Sequence, residues 1–514
     1  MLKATSSVAH VFKAQRSTRP LLSLISTLGL MWVCVPLTAQ AFCGFFVSGA
    51  DSALYNDATQ VALMRKGNRT VMTMSNTYKG PTEDFAMVVP VPVVLQEKQV
   101  KTLSAEVFDR IDQLSAPRLV EYWEEDPCAR RIIRRARAGG KTRSMRKPSS
   151  RRSRSTSYGV TVEAEFTAGE YMIVILSAQE ANGLERWLVD HQYKIPDGAS
   201  EALRPYIQRG MKFFVAKVDI TKVKRDDEGV VTLSPLRFDF ESKELRLPVR
   251  LGLLNASGKQ DLIVYILSPN QRYEVANYPN AFIPTNLEVE NEVRSYFGSF
   301  YTRLFEEVLE RSEGSAVVTE YAWQTSSCDP CPTPPLTNSE LYTLGGDVLT
   351  DRGKGSKEAA RPKRRGRRSR RRPPRGGVFL PRGAFSSWVL TRLHTRYSKE
   401  SLSEDLVFRP TYAVAGGRGS GGISTEKPGE VKRASSNQFQ GRYIIRHYWQ
   451  GKVECANPRY GQWGGPPNGS TKRVSAGKIA RAKASEVALS RVVRSPLKQL
   501  KLKGKKRVKR KGER

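Results

Sequence analysis

Half of the chain's Lys and Arg residues sit in three short tracts that cannot build a core, and this decides which residues are left to fold. The 514 residues carry a formal net charge of +35. Residues 129–157 hold 12 basic residues and no acid, 352–376 hold 13 against one, and 471–514 hold 17 against two. Runs such as Arg151-Arg152-Ser153-Arg154-Ser155 and Lys363-Arg364-Arg365-Gly366-Arg367-Arg368 bury too little apolar surface to offset ordering entropy. Two disordered inserts and a disordered tail are therefore expected. Outside the tracts 43 basic residues face 47 acidic ones. The part that can fold is mildly acidic, and the total charge does not describe its surface.

The N-terminus reads as an export signal. Lys3, Lys13, Arg16 and Arg19 precede an apolar run from Leu21 to Val35, Pro36 breaks it, and Ala39-Gln40-Ala41 supplies a small-x-small cleavage site before Phe42. The rival reading is an uncleaved anchor, since the run approaches the roughly 18 apolar residues that can span a bilayer. No later stretch is long and apolar enough to do so. Export would place the chain in an oxidising compartment, where disulfides persist. Cys34 would leave with the leader, so Cys43, Cys128, Cys328, Cys331 and Cys455 are the disulfide candidates. Five is odd, and spacing does not give the connectivity.

Hydrophobic patterning points to strands with a few helices between them. Val160, Val162, Ala164 and Phe166 alternate with polar residues, and Tyr171 to Leu176 is apolar on both faces, as a fully covered strand would be. Phe214, Ala216, Val218 and Ile220 alternate, as do Leu245, Leu247, Val249, Leu251 and Leu253; Pro248 assigns the second run to a sheet edge or bulge. Gln60 to Arg65 and Thr70 to Ser75 flank a hairpin turn. Ser104 caps a predicted helix with Val107, Phe108, Ile111 and Leu114 on one face, ended by Pro117. A second helix is predicted over 288–311, where Val289, Val293, Phe297, Phe300, Leu304 and Val308 keep a 3.6-residue period. The fold class is therefore α+β and strand-rich: antiparallel sheets, a few packed helices and three disordered basic segments.

Several stretches outside the tracts are distinctive: Cys43-Gly44-Phe45-Phe46, Glu83 to Pro92 (EDFAMVVPVP), and Ala116 to Trp123 (APRLVEYW). Thr319 to Trp323 (TEYAW) with Cys328-Asp329-Pro330-Cys331, and Gly441-Arg442-Tyr443 through Trp463 to Pro467 (WGGPP), join them. Together they resemble an uncharacterised exported bacterial family, domain of unknown function 2330. The resemblance covers most of 42–128, 158–350 and 385–467. It implies export and one shared architecture, brings no known activity, and makes the Arg-rich segments additions to the family's core. The expected organisation is a leader (1–41), an N-terminal β-rich part of the core (42–128), a basic insert (129–157) and the main α+β part (158–350). A second basic insert (351–384), a C-terminal β-rich part (385–471) and a basic tail (472–514) follow.

Candidate chemistry is sparse. A C-x-x-C pair at a helix N-terminus gains a lowered thiol pKa there. Cys328-x-x-Cys331 is instead followed by Pro332, Pro334 and Pro335, which oppose a helix start, so a structural disulfide is expected over redox exchange or zinc. His191, His394 and His447 sit in no metal spacing and read as ordinary core or surface histidines. The nucleophile-elbow, P-loop and dinucleotide-binding motifs are missing from the sequence, and no metal or cofactor is expected. Glu124, Glu125 and Asp126 read as a solvated acidic face. Arg442 to Trp449 interleaves basic and aromatic residues, and alternation puts Tyr443, Ile445, His447 and Trp449 on one face. A strand with a buried aromatic face is the preferred reading; the alternative is ligand stacking on Tyr448, Trp449, Tyr460 and Trp463.

These features predict an exported, non-enzymatic protein that binds or scaffolds at the cell envelope, in the periplasm, at the cell surface or outside. The alternative is an enzyme with an unrecognised site, either performing thiol-disulfide exchange at Cys328/Cys331 or acting as a carboxylate hydrolase. The tracts suit anionic cell-surface polymers or lipids, which attract each basic side chain by about 1 kcal/mol near a charged surface. Specific nucleic-acid recognition is disfavoured by export. Removing 129–157, 352–376 and 471–514 together should abolish salt-sensitive retention on heparin or anionic liposomes. Retention of the truncated core with an unchanged salt slope would place the positive patch on folded surface instead.

Overall fold

Strands Thr59–Lys66 and Arg69–Ser75 pair antiparallel through a two-residue turn at Gly67-Asn68, the hairpin that the flanking alternation predicts. In the computed structural model the described residues are 45–48, 55–56, 59–75, 77–79, 85–129, 156–157, 160–191, 193, 195–223, 231–255, 259–312, 314–328, 331, 333–350, 385–416, 430–466, 474–475 and 488–494. The expected leader, Cys43, the insert 351–384 and most of the other two basic tracts lie outside them.

The hairpin sits inside an eleven-stranded sheet. Its order runs Lys432–Arg433, Val414–Gly416, Gln438–Gln440, Val317–Gln324, Trp388–Tyr397, Gln260–Pro269, Thr59–Lys66, Arg69–Ser75, Leu236–Glu241 and Val100–Thr102, with Asn280–Phe282 added beside Val317–Gln324. Most neighbours are antiparallel, but Gln260–Pro269 lies parallel to Thr59–Lys66. Parallel neighbours need a long crossover, and here the chain builds most of a second sheet between them. That sheet has six antiparallel strands, ordered Phe45–Ser48, Phe85–Val91, Lys212–Val218, Tyr171–Ala178, Val160–Ala168 and Thr156–Ser157. The two sheets meet face to face. Met87, Val89, Ile173, Ile175, Phe214 and Ala216 of one share a core with Val61, Leu63, Met72, Phe238, Val264 and Leu393 of the other.

Helices cover both outer faces. Leu184, Trp187 and Leu188 of α2 (Ala181–Asp190) and Leu203 and Tyr206 of α3 (Ala199–Gln208) pack on the six-stranded sheet, against Val88, Val162, Phe213 and Val215. The outer face of the large sheet holds α1 (Glu106–Ser115) and α4 (Phe297–Glu310). The α1 stripe of Val107, Phe108, Ile111 and Leu114 is buried as its period requires. The architecture is α+β and strand-rich.

Several boundaries differ from the patterning. All six apolar residues predicted on one helix over 288–311 are buried, but α4 begins only at Phe297; Leu287–Glu288 is a strand and Asn291–Ser295 a 3-10 turn. Glu288 and Val289 are drawn into pairing with distant strands, which overrides their helical phase. The Leu245 alternation stops as a strand at Leu247, one residue before Pro248, and continues as a 3-10 turn over Arg250–Asn255. The strand is at a sheet edge, where a proline's missing donor is harmless. Lys212–Val218 ends before Ile220, which opens a 3-10 turn. The Val160 strand slips phase at a bulge between Val162 and Ala164, and Met172 is 41% exposed, so Tyr171–Ala178 is not covered on both faces.

The tail expected to be disordered from 472 is corrected at two places. Val474–Ser475 pairs with Arg118–Glu124, and Leu489–Val492 forms a helical turn whose Leu489, Val492 and Val493 join the α4 core. The tract's average charge hides this one apolar run, Val487 to Val493. In the first insert, Thr156–Ser157 pairs with Val160–Thr161. A tail deletion that leaves the core whole therefore starts after Arg494.

A buried ionic network joins the large sheet to α1 and α4. Thr319 pairs with Leu393 and Tyr321 with Arg392, so Glu320 is the extra residue of a β-bulge. Its fully buried carboxylate accepts from Arg392 Nε at 2.5 Å, from His394 Nδ1 at 2.7 Å and from the Tyr301 hydroxyl of α4. Arg392 also reaches Asp112 of α1, which accepts from Tyr265 at 2.9 Å. His394 Nε2 faces Asp261 at 3.3 Å, and Arg396 clamps Asp261 with two bonds of 2.9 Å. An imidazole between two carboxylates must carry both protons to donate to each.

Burial would raise the Glu320 carboxyl, but the charges of His394 and Arg392 outweigh it and hold it at about 2, below its ordinary 4.5. Burial would lower His394, but Glu320 and then Asp261 raise it above 6.5. The Glu320 contribution to stability is complete above 4.5 and lost as pH falls towards about 2; the His394 contribution is complete below 6.5 and lost as pH rises through its raised value. The network should therefore stabilise most between pH 4.5 and 6.5. In that window Glu320→Gln should cost roughly 3–5 kcal/mol, because it leaves buried cations uncompensated. Urea midpoints across pH check this, and an unchanged pH profile in the variant would exclude the network as its source.

Candidate functional site

The strand Arg442–His447 starts in the core and ends at the surface. It lies parallel to both neighbours, Leu287–Glu288 and Arg118–Glu124, in a smaller sheet that Trp463–Gly464 extends. Gly441 fixes its start: its N–H donates to the carbonyl of the bulged Glu320 at 2.8 Å, and its carbonyl accepts from Arg118 N at 3.1 Å. A Cβ there would lie 3.1 Å from Ile283 and 3.2 Å from Pro117, so glycine permits this close approach. The buried Arg442 guanidinium then donates to Asn286 Oδ1 from Nε at 2.9 Å and to the Tyr122 hydroxyl at 3.3 Å.

Further along, the two faces diverge. Tyr443 and Ile445 pack against α4, and His447 continues that face by stacking on Trp123, with centroids 4.4 Å apart. Glu121 accepts from His447 Nε2 at 2.9 Å and from Arg294. On the other face Arg446 lies 5.2 Å over the Trp463 ring, and Tyr448 meets the same ring edge-on at 5.3 Å. Glu288 binds Arg446 at 2.9 Å and the Tyr448 hydroxyl and Arg494 at 3.3 Å each; Glu290 binds Arg494 at 2.7 Å, which lowers the Glu290 pKa. A cavity of about 280 Å³ opens here, lined by Asn291, Ile445, Arg446, His447, Tyr448, Gln450 and Arg494.

Of the four stacking candidates, Tyr448 and Trp463 touch, while Trp449 and Tyr460 stand on adjoining loops. Glu124 ties those loops together by accepting from Trp449 N at 3.2 Å and Gly461 N at 2.6 Å. Tyr460 is 60% exposed, Tyr448 49% and Trp449 37%, so the preferred reading of a buried aromatic face holds only for Tyr443. The strand ends at His447, which releases Trp449 from the alternation. Within the acidic run, Asp126 accepts from Cys128 N at 2.9 Å; it and Glu124 cap backbone amides.

Cys128 and Cys455 are bonded just beyond these loops, 327 residues apart in sequence. Cys328 and Cys331 are bonded to each other, and the next helix begins only at Asn338. His191 stacks on Trp187 at 3.8 Å, away from the cavity, and His394 belongs to the buried network. Among the described residues no group of three or more His, Cys, Asp or Glu side chains is placed to hold a metal ion, and no helix is long and apolar enough to cross a membrane. Sequence reasoning missed Glu121, Trp123, Glu288, Arg294 and Arg494 as parts of this surface. The interleaved Arg446, His447 and Trp449 were a local signal, but parallel pairing imports the other partners from distant positions, which no spacing reports.

A model of uncharacterized proteins conserved in bacteria, domain of unknown function 2330, matches residues 37–409. The chain belongs to this family. Comparison with curated proteins and comparison with solved structures each gave no match. The family match includes Glu121, Trp123, Glu288 and Arg294 and ends before Arg442–His447, so the stretch 441–467 counted in the resemblance lies beyond it.

The two disulfides differ in what they constrain. In the chain-entropy picture a cross-link over 327 residues contributes about 6 kcal/mol and one over three residues about 2 kcal/mol. Cys455→Ala should therefore lower unfolding stability by roughly 2–5 kcal/mol and expose the loops of Trp449 and Tyr460 to protease. Cys331→Ala should cost less than Cys455→Ala in the same denaturation series, and the reverse order would contradict the assignment.

Proposed function

We propose that the chain is an exported, non-enzymatic binding protein of the cell envelope, and that it holds saccharide rings on the aromatic shelf of Tyr448, Trp449, Tyr460 and Trp463. The observation that carries this reading is the exposure of Tyr448, which lines the cavity of about 280 Å³ and meets Trp463 edge-on, with Trp449 and Tyr460 exposed on the adjoining loops. Aromatic side chains that end in a polar group suit a ligand with one apolar face and many hydroxyls. The cavity's arginines are already paired: Arg446 with Glu288, Arg494 with Glu288 and Glu290, and the neighbouring Arg294 with Glu121. Such a lining offers many directed hydrogen bonds with little net charge, which favours a neutral sugar over a bare phosphate.

Export is supported by the leader pattern and by two cysteine pairs at bonding distance. The basic tracts would add adhesion to anionic polymers. Thiol exchange is not favoured, because no helix begins at Cys331 to stabilise a thiolate.

Tryptophan fluorescence titrated with soluble envelope oligosaccharides tests the shelf. Trp449→Ala and Tyr448→Ala should each weaken binding about fivefold or more, the effect of losing ~1 kcal/mol of ring contact. Affinity unchanged from the parent protein in both variants, or no saturable response to any saccharide, would remove the shelf as the site.

A further inference from the structure

A second, open cavity of about 250 Å³ is lined by residues of both large sheets, Met72, Phe238 and Phe240 from one and Pro90 and Val91 from the other. Its wall is apolar. Met72, Val91, Phe238 and Phe240 are at most 5% exposed, and Phe238 and Phe240 project from the same side of Leu236–Glu241. Sheet-on-sheet cores normally interdigitate with few voids larger than a water molecule. This one leaves room for about eight water-sized groups at ~30 Å³ each.

The mouth is built differently. Helix α3 ends in a Schellman turn, in which Gly210 N donates to Ile207 O at 2.8 Å and Met211 N to Tyr206 O at 3.0 Å, with Gly210 at φ +68°. The turn sets Arg209 and Met211 at the opening. Across from them, the buried Arg65 donates to the carbonyls of Ser242 at 2.8 Å and Lys243 at 3.1 Å, fixing the turn that presents Glu244 and Arg246. Pro90, Pro92 and Pro248 complete the rim and supply no amide donors.

We propose that this cavity binds an amphipathic anion with a straight aliphatic chain, its chain between the sheets and its carboxylate at Arg246 and Arg209. The Arg246 contact with Glu244 is 2.8 Å, but that carboxylate side chain is 65% exposed, so the pair is screened and exchangeable. Arg209 is 3.7 Å from Asp405, whose other oxygen is occupied by the Tyr206 hydroxyl at 2.6 Å. The Arg246 guanidinium can therefore turn to a ligand carboxylate at small cost, and Arg209, whose 3.7 Å contact with the buried Asp405 is longer than a hydrogen bond, can add a second contact while staying beside it. A nucleotide or sugar phosphate would meet prolines where it needs backbone donors. The volume suits octanoate or decanoate with the head group outside.

Calorimetric titration of the full chain with decanoate and with decanol tests the assignment. Decanoate should bind saturably, and the double variant Arg209→Ala/Arg246→Ala should weaken it tenfold or more while leaving decanol unchanged. Met211→Trp should fill the mouth and abolish binding of both. Photo-crosslinking of the unaltered protein with a diazirine-bearing decanoate gives a readout that needs no variant, and it should label Met72, Met211 or Phe240. Absence of saturable decanoate binding, labelling only elsewhere, or decanoate affinity unchanged in the double-arginine variant would each overturn the proposal.

Discussion

One fully buried carboxylate, Glu320, sets the geometry on which the outer half of the molecule depends. It is reached by an arginine and a histidine of the neighbouring strand and by a tyrosine of α4, while the same arginine reaches α1 through Asp112. Two helices that share no sequence neighbourhood thus dock on one ion pair, α4 on Glu320 and α1 on Arg392. Such a network need not add much net stability, because desolvating the ions offsets most of their attraction. Its leverage lies in what happens when a partner is wrong: a shifted register would bury Arg392 or His394 without a counter-charge. The bulge at Glu320 belongs to this logic, since an extra residue re-aims a side chain that a regular ladder would hold elsewhere.

The sequence showed the parts of the fold that are decided locally. The Gly67-Asn68 hairpin, the α1 stripe ended before Pro117 and the edge position of Leu245–Leu247 follow from turn chemistry, helical period and a missing proline donor. It failed where distant strands compete for the same residues. Val289 and Val293 keep a helical phase with Phe297, yet Leu287–Glu288 pairs with Arg442–His447 and Val289 bridges to Val493, so the helix cannot start until Phe297. Charge averaging failed in the same way at the tail, where a short apolar run between lysine-rich stretches supplies Leu489 and Val492 to the core.

The candidate surface was half legible. Arg446, His447, Tyr448 and Trp449 are adjacent in sequence, and their mixture of rings and cations marks the place. Their counter-charges come from Glu121 and Glu288, which no local pattern connects to them. Without those partners the stretch reads as a strand with a buried aromatic face, or as rings beside unpaired cations. With them each arginine is neutralised in place, and the surface becomes a rigid array of paired donors and acceptors. The change of reading is electrostatic rather than geometric.

The family match ends at 409, but the strand bearing His447 is not an appendage to the family's core. Gly441, just before it, donates to the carbonyl of Glu320, whose side chain binds Tyr301 of α4 directly and reaches α1 only through Arg392 and Asp112. The start of the strand is therefore tied to the buried network through Gly441, and its pairing with Arg118–Glu124 carries that alignment to His447. At the far end, Tyr448, Trp449 and Tyr460 are absent from every apolar core cluster among the described residues. Substitution of these rings leaves the packed clusters untouched. A side chain added at Gly441 would press on Ile283 and Pro117 and shift the strand away from Glu320. The strand's constrained start thus lies in the core, and the exposed rings follow only after its end at His447.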